Sequence, residues 1–175
     1  MSDDASPNSE GMGDSRASQA VFDEWPPNLR ALFDGTLTGA PHGFTASLCA
    51  VDSAGRIRTA LLSAGELLAP DARTLCFALW PSSRTVQAIV SSGRATLAFV
   101  FDEAFHQVQL DVRRVTLDGV PLACFVGSIE SGEIQRVAYA RLTGGIAFEL
   151  TDAENVLARW RQQIDWLTRA ASAAA

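Results

Sequence analysis

The chain contains no lysine: all fourteen of its basic residues are arginine. That absence excludes Schiff-base chemistry on a lysine and any lysine clamp on a phosphate, and leaves guanidinium as the only strong cation for binding an anion. Histidine is nearly as scarce. His42 and His106 are the only two, and neither has a serine or cysteine motif beside it. The turn-like setting Ala40-Pro-His-Gly43 makes His42 a solvated residue rather than a base. Cys49, Cys76 and Cys124 each lie inside an apolar run, without C-x-x-C spacing and in odd number. They read as buried structural thiols, not as a disulfide framework. No apolar run reaches the roughly 18 residues of a membrane span, and the acidic N-terminus has no signal-peptide core. A cytoplasmic location, away from membranes, is expected. There is no basic stripe to neutralise phosphates, so nucleic acid is not an expected partner. Phosphate-loop, dinucleotide-loop, zinc-protease and serine-hydrolase signatures are all missing.

What is present suits one domain. The chain has 175 residues, 47% hydrophobic and 19% charged, which excludes bulk disorder. The net charge is −6 and is unevenly spread. Asp3, Asp4, Glu10 and Asp14 against Arg16 leave −3 on residues 1–20, which read as a disordered acidic tail with little to bury. The domain is expected over residues 21–175.

Pro26 and Pro27 suit a helix start, with Leu29, Leu32 and Phe33 on one side. From Phe44 the period changes to two: Ala46, Leu48 and Ala50 alternate with Thr45, Ser47, Cys49 and Val51. Asp52–Gly55 is a turn and residues 56–63 return as the second strand of a hairpin. A third strand is expected at 74–80. Ser82-Ser83 then cap a helix over 84–91, which Gly93 closes. Residues 94–101 and 106–117 follow as strands, with others near 121–129 and 143–150. Thr151 and Glu154 form a capping box for a C-terminal helix striped by Leu157, Trp160, Ile164 and Leu167. The expected class is mostly β (α+β): about six antiparallel strands closed as a small barrel, with a short helix after strand three and a C-terminal helix.

Three features on successive elements could bind a phosphate and a heterocycle. Arg58 lies on an otherwise apolar strand and can grip a phosphate through paired hydrogen bonds. Ser83-Arg84-Thr85 opens a helix, where free N–H groups, two hydroxyls and a guanidinium favour an anion. Gln107, with Gln109 one alternation on, can donate to and accept from a ring edge. Taken singly, each has a plain alternative: a solvated arginine, an N-cap, the polar half of an amphipathic strand.

In order and spacing, the three make residues 42–117 resemble the pyridoxamine 5′-phosphate oxidase-like family of FMN-binding split barrels. Arg58-Thr59-Ala60-Leu61-Leu62-Ser63 lies over the family's R-x-V-L-L-K strand, Ser83-Arg84-Thr85 over S-R-K, and His106-Gln107-Val108-Gln109 over R-Q-V-R. The resemblance implies a six-stranded split barrel that binds FMN non-covalently, as a homodimer with the cofactor at the subunit interface. It implies oxidoreductase activity on a small molecule. The cofactor-binding residues it implicates are Arg58, Ala60, Leu61, Leu79, Ser83, Arg84, Thr85 and Gln107. Ser63 and Thr85 stand where the family has lysines, and the family's C-terminal arginine–histidine substrate motif has no counterpart. The resemblance therefore implies flavin binding rather than pyridoxamine phosphate oxidation. The alternatives are a flavin- or haem-binding module without turnover and a deazaflavin-dependent reductase. No residue is assigned a catalytic role.

Overall fold

A computed structural model describes residues 18–41 and 43–175; His42 and most of the expected acidic tail lie outside them. Eight strands form one antiparallel sheet: β1 (Ser18–Phe22), β2 (Thr45–Val51), β3 (Ile57–Ser63), β4 (Leu67–Leu68), β5 (Thr74–Leu79), β6 (Arg94–Phe101), β7 (Ala104–Val115) and β8 (Ala123–Arg136). The helices are α1 (Pro27–Arg30), α2 (Arg84–Ser92) and α3 (Ala153–Ala174), with turns of 3-10 helix at Ala31–Phe33 and Ala64–Glu66. The sheet runs β3-β2-β6-β7-β8-β5-β4, and β1 pairs with β8 beyond the stretch that β5 occupies. This is the expected mostly β class, with eight strands rather than six.

The differences have local causes. Ser18–Ala20, the end of the expected tail, opens β1, because the second half of β8 offers ladder partners from Gly132 to Arg136. The two-residue β4 is too short to show a period. β8 runs to Arg136 rather than ending near residue 129, carried past a bulge in its pairing with β7 that leaves Glu130 unpaired between Ile129 and Ser131. The strand expected at 143–150 is not one: only a single bridge, Phe44 to Ala147, forms there. The C-terminal helix is capped by Asp152, whose carboxylate accepts from the Asn155 amide at 3.3 Å, and not by Thr151. Ser83 does cap α2, accepting from the Val86 amide at 3.2 Å. Gly93 ends α2 in the left-handed conformation, φ 68°, where glycine carries no Cβ penalty.

The core lies inside the curled sheet. β2, β6 and β7 each send alternate residues inward: Ala46, Leu48 and Ala50; Ala95, Leu97 and Phe99; Ala104, His106, Val108 and Leu110. Phe33 sits among Trp25, Phe44 and Phe99 at ring centroid separations of 5.6–5.8 Å, fixing the turn after α1 against the barrel. The face of α2 bearing Val86, Ala88 and Ile89 enters the same core and packs on β2 and β3. β5 is buried on both faces. Leu75, Phe77 and Leu79 point into the barrel, while Cys76 and Ala78 meet Ile164, Leu167 and Ala170 of α3. Two-sided burial explains why β5 reads as a continuous apolar run instead of alternating. Cys76, shut away from water, has its thiol pushed up to about 12. Among the described residues, no helix is long and apolar enough to cross a membrane.

The β6–β7 hairpin turns on Asp102 and Glu103, both non-glycine and both at positive φ (49° and 59°). A two-residue hairpin loop requires that geometry, and glycine or asparagine meets it at less cost. Here Arg136 holds Asp102 at 3.1 Å and Arg141 holds Glu103 at 3.4 Å. Beneath the turn, His106 is 1% exposed, stacks on Phe99 with ring centroids 4.9 Å apart, and lies 2.9 Å from the Phe101 carbonyl through Nε2.

Two outcomes follow from this packing. His106 has its pKa lowered chiefly by burial, so the unfolded chain takes up a proton that the folded chain refuses. Stability should therefore fall as pH drops through the unfolded value of roughly 6.5 and level off below the folded value. Denaturant midpoints measured across that range should show the slope, and His106→Phe should flatten it. At Gly65 an added Cβ would run into the Cβ and ring of Trp160 on α3. Gly65→Ala should cost roughly 1–3 kcal/mol, and a double-mutant cycle should show only part of that cost relieved in a Trp160→Ala background, because the Cβ of residue 160 stays within the clash.

Candidate functional site

The alternation that fills the core also builds the opposite face of the sheet. On that outer face, Leu61, Ser47, Ala98 and Gln107 stand directly opposite one another across β3, β2, β6 and β7. The next row over is Thr59, Cys49, Thr96 and Gln109. Leu61 and Gln107 are three strand spacings apart, roughly 14 Å, and the side chains between them are small. The second row is tied down by its own hydrogen bonds. The Thr96 hydroxyl donates to Gln109 Oε1 at 2.7 Å, and Cys49 Sγ lies 3.6 Å from Thr59 Oγ1.

A cavity of about 470 Å³ opens on this face, lined by Cys49, Val51, Ile57, Thr96, Ala98 and Gln107 among others. Glu130 joins the lining because the bulge in β8 leaves it without a cross-strand partner. The volume falls within the range of small-molecule sites. Beyond Gln107 in the same row stands Glu133, whose carboxylate accepts from Gln19 and Gln135 at 3.0 and 3.1 Å. Cys49, expected to be buried, is only half-buried and belongs to this lining. It sits on the outward parity of β2, which an apolar run does not reveal.

The other expected site residues divide between faces. Arg58 is the cross-strand partner of buried Ala50 and so faces the α2 side of the sheet, opposite to Gln107. Its Nε and Nη2 donate to Asp52 Oδ2 at 2.8 and 2.7 Å. Asp52 Oδ1 takes the Ala54 and Arg56 amides, both at 2.9 Å. The Arg56 amide and the guanidinium hold this carboxyl below its ordinary range. Ser83 and Arg84 open α2; Arg84 is exposed and makes no ion pair among the described residues. Ala60 is half-buried, and Leu79 and Thr85 are buried at 6% and 5% exposure. Leu61 and Gln107 thus stand in one row of the outer face, Arg58 faces the other side of β3, on which α2 packs, and Ala60, Leu79 and Thr85 are turned toward the interior.

β3 is the edge strand of the sheet, so alternate backbone groups point away from β2. A ligand touching both Gln107 and Arg58 must pass around this edge. Ser63, at its end, donates both its amide and its hydroxyl to Glu66 Oε2 at 2.8 and 2.9 Å. The residues that sequence reasoning passed over are Ser47, Ala98 and Asp52. Alternation placed Ser47 on the polar side, while Ala98 lies in a strand that reads as apolar throughout, and neither reading shows that the two line up with Leu61 and Gln107. Asp52 read as a turn residue, and its reach across the hairpin to Arg58 has no one-dimensional signal.

Chemically, the arrangement offers a flat, small-residue floor with an amide at one end, and a separate cationic group beyond the sheet edge. No family model matches the sequence. The uncharacterized protein YclD of Bacillus subtilis is 26% identical over 147 residues, spanning 81% of this chain and 94% of that one. Among solved structures, a protein of Lactobacillus delbrueckii described provisionally as a pyridoxamine 5′-phosphate oxidase superposes with a TM-score of 0.50. It is 12% identical and covers 63% of this chain and 94% of its own. An FMN-binding protein of Syntrophomonas wolfei gives 0.45 at 15% identity, over 59% and 84% of the two chains. At these identities the likeness is one of fold. The chain has the split-barrel fold of the pyridoxamine 5′-phosphate oxidase-like proteins.

Proposed function

We propose that this protein is an FMN-binding flavoprotein, a cytoplasmic oxidoreductase acting on a small molecule. The observation that carries the reading is the row Leu61–Ser47–Ala98–Gln107 on the face away from the core, of which Ala98 and Gln107 line the 470 Å³ cavity. Its small central side chains leave room for a planar tricyclic ring, so the residues fit the cofactor's ring. On the other side of the sheet, α2, which opens at Ser83 and Arg84, packs on β3, the strand that carries Arg58.

When bound, FMN supplies two-electron redox chemistry, and the protein supplies orientation and hydrogen bonds that tune the ring. Leu61 would press against one end of the ring, and the Gln107 amide would donate to or accept from the heterocycle's edge. Free backbone groups of β3 would hold the polar margin, and Arg84 with the α2 amides would meet the phosphate. Val51 and Ile57 at the cavity are 52% and 70% exposed, and Leu61 on the same face of the sheet is 54% exposed. A second copy of the chain covering these side chains would exclude water from the ring, which supports a homodimer with the cofactor at its interface.

The protein purified without added cofactor should show absorbance near about 375 and 450 nm from a flavin released by denaturation, the signature of non-covalent binding. Ala98→Phe should abolish those bands while leaving the far-ultraviolet dichroism unchanged, because its side chain points off the sheet into the cavity. Gln107→Leu should weaken flavin binding by about 1 kcal/mol, the worth of one neutral hydrogen bond. Full flavin retention by Ala98→Phe would sink the placement of the ring. Loaded protein should oxidise NAD(P)H at steady state with dissolved oxygen as the electron acceptor; no turnover with any reductant would leave a carrier.

A further inference from the structure

We propose that a second cavity, at the Leu61 end of the floor, binds a small amino acid with an apolar side chain, its carboxylate held by Arg159 and its ammonium by Glu66. The cavity stands on its own residues; its use in turnover rests on the flavin reading above.

The outer face continues by one row beyond Leu61 and Ser47. Ser63 and Thr45 are the next outward pair, two residues further along β3 and β2 and so roughly 7 Å on. There a cavity of about 370 Å³ opens between β3, the turn at Ala64–Glu66, residues 146–150 and α3, a volume that suits a small molecule. Leu61 belongs both to the floor row and to this lining, so a molecule in the cavity lies end-on to a ring on the floor. Leu62, Leu150 and Val156 supply apolar walls. Phe148 and Trp160 form an aromatic corner, their ring centroids 6.1 Å apart and their planes inclined by 78°.

The polar side chains of the lining are few, and two are already committed. Thr45 donates its hydroxyl to the Gly43 carbonyl at 3.4 Å, and Ser63 turns its amide and hydroxyl to Glu66 Oε2. Glu66 Oε1, the Arg159 guanidinium and the Trp160 indole N–H make no hydrogen bond among the described residues, and no ion pair joins Arg159 to Glu66. Two opposite charges thus share one largely apolar cavity without closing on each other.

That balance selects the ligand. A simple carboxylate is drawn by Arg159 and pushed away by Glu66, and a simple amine meets the reverse. The surroundings also lean against a free anion: Glu149, Asp152 and Glu154 lie exposed on the flanking segments, against Arg161 alone. A zwitterion gains a charge-assisted hydrogen bond at each end and adds no net charge. Its side chain gains from the apolar walls.

L-phenylalanine is the probe, set against 3-phenylpropionate, which lacks the ammonium, and phenethylamine, which lacks the carboxylate. Titration calorimetry on the full chain should show phenylalanine binding about tenfold or more tighter than either, the scale of one charge-assisted hydrogen bond. Arg159→Gln should lower phenylalanine affinity about tenfold without weakening phenethylamine. Glu66→Gln, whose amide oxygen still accepts from Ser63, should lower phenylalanine by a similar factor and tighten 3-phenylpropionate. Dichroism checks both folds. Arg159 is exposed, so its variant and the ligand series decide alone should Glu66→Gln not fold.

An absence of phenylalanine binding, as when Arg159 closes onto Glu66 in the free protein, would overturn the inference. So would a preference under about tenfold over either analogue, or wild-type phenylalanine affinity in Arg159→Gln. Flavin content is read separately. Phenylalanine bound by protein that retains no flavin upholds this site and overturns the flavin reading, whereas flavin-loaded protein that ignores phenylalanine overturns this inference alone.

Discussion

Strand register is the constraint on which everything else in this molecule depends. Across β3, β2, β6 and β7 the same pairing brings Leu48 opposite Leu97 and Val108 inside the barrel, and sets Ser47 opposite Ala98 and Gln107 outside it. Side chains alternate with a period of two, so a slip of one residue in any strand would exchange the two sets. The core would lose its Leu and Val residues to solvent while the floor lost its small ones. Burial of the inner set therefore enforces the flatness of the outer one. Stability and ligand geometry are consequences of a single alignment, and neither can be altered by sliding a strand without ruining the other.

The rest of the chain closes this sheet on the sides that the site does not use. α2 fills the barrel over β2 and β3 with Val86, Ala88 and Ile89. α3 covers the far face of β5 and β8, where Cys76, Ala78, Cys124 and Val126 meet Ile164, Leu167 and Ala170. The aromatic chain from Trp25 through Phe33 to Phe99 and His106 links the first helical turn to the β6–β7 hairpin. Rigid support thus gathers behind the floor, leaving its open side free. A planar ligand needs a surface that does not move beneath it, and the core provides that backing.

Much of the fold was legible because burial on one face leaves a period in the residues. β2 and β7 alternate cleanly, β6 reads as one apolar run, and the Ser83 cap and Gly93 stop bracket α2. The signal failed where a different force set the backbone. β8 carries Gly127, Gly132 and a bulge, so its alternation breaks in the middle. Residues 143–150 have strand-like composition but find only one bridging partner, Ala147 on Phe44. Of the site, Gln107, Arg58 and the α2 start could be named from residue type and spacing, and Leu61 only from the family resemblance. Their distribution over two faces of an edge strand could not, because it depends on which residue of β3 opposes which residue of β2. The Asp52–Arg58 contact was hidden for a related reason: the two residues lie six apart in the chain and meet only because the hairpin folds back.

β1 adds a final consequence. Its five residues lie along the second half of β8, with the Phe22 ring packed over Gly132. Remove them, and β8 would present a bare row of amides and carbonyls beside an uncovered glycine, a template on which another chain could add itself. The short N-terminal strand takes over the sheet margin there, and its Phe22 ring shields the glycine that β8 would otherwise leave bare.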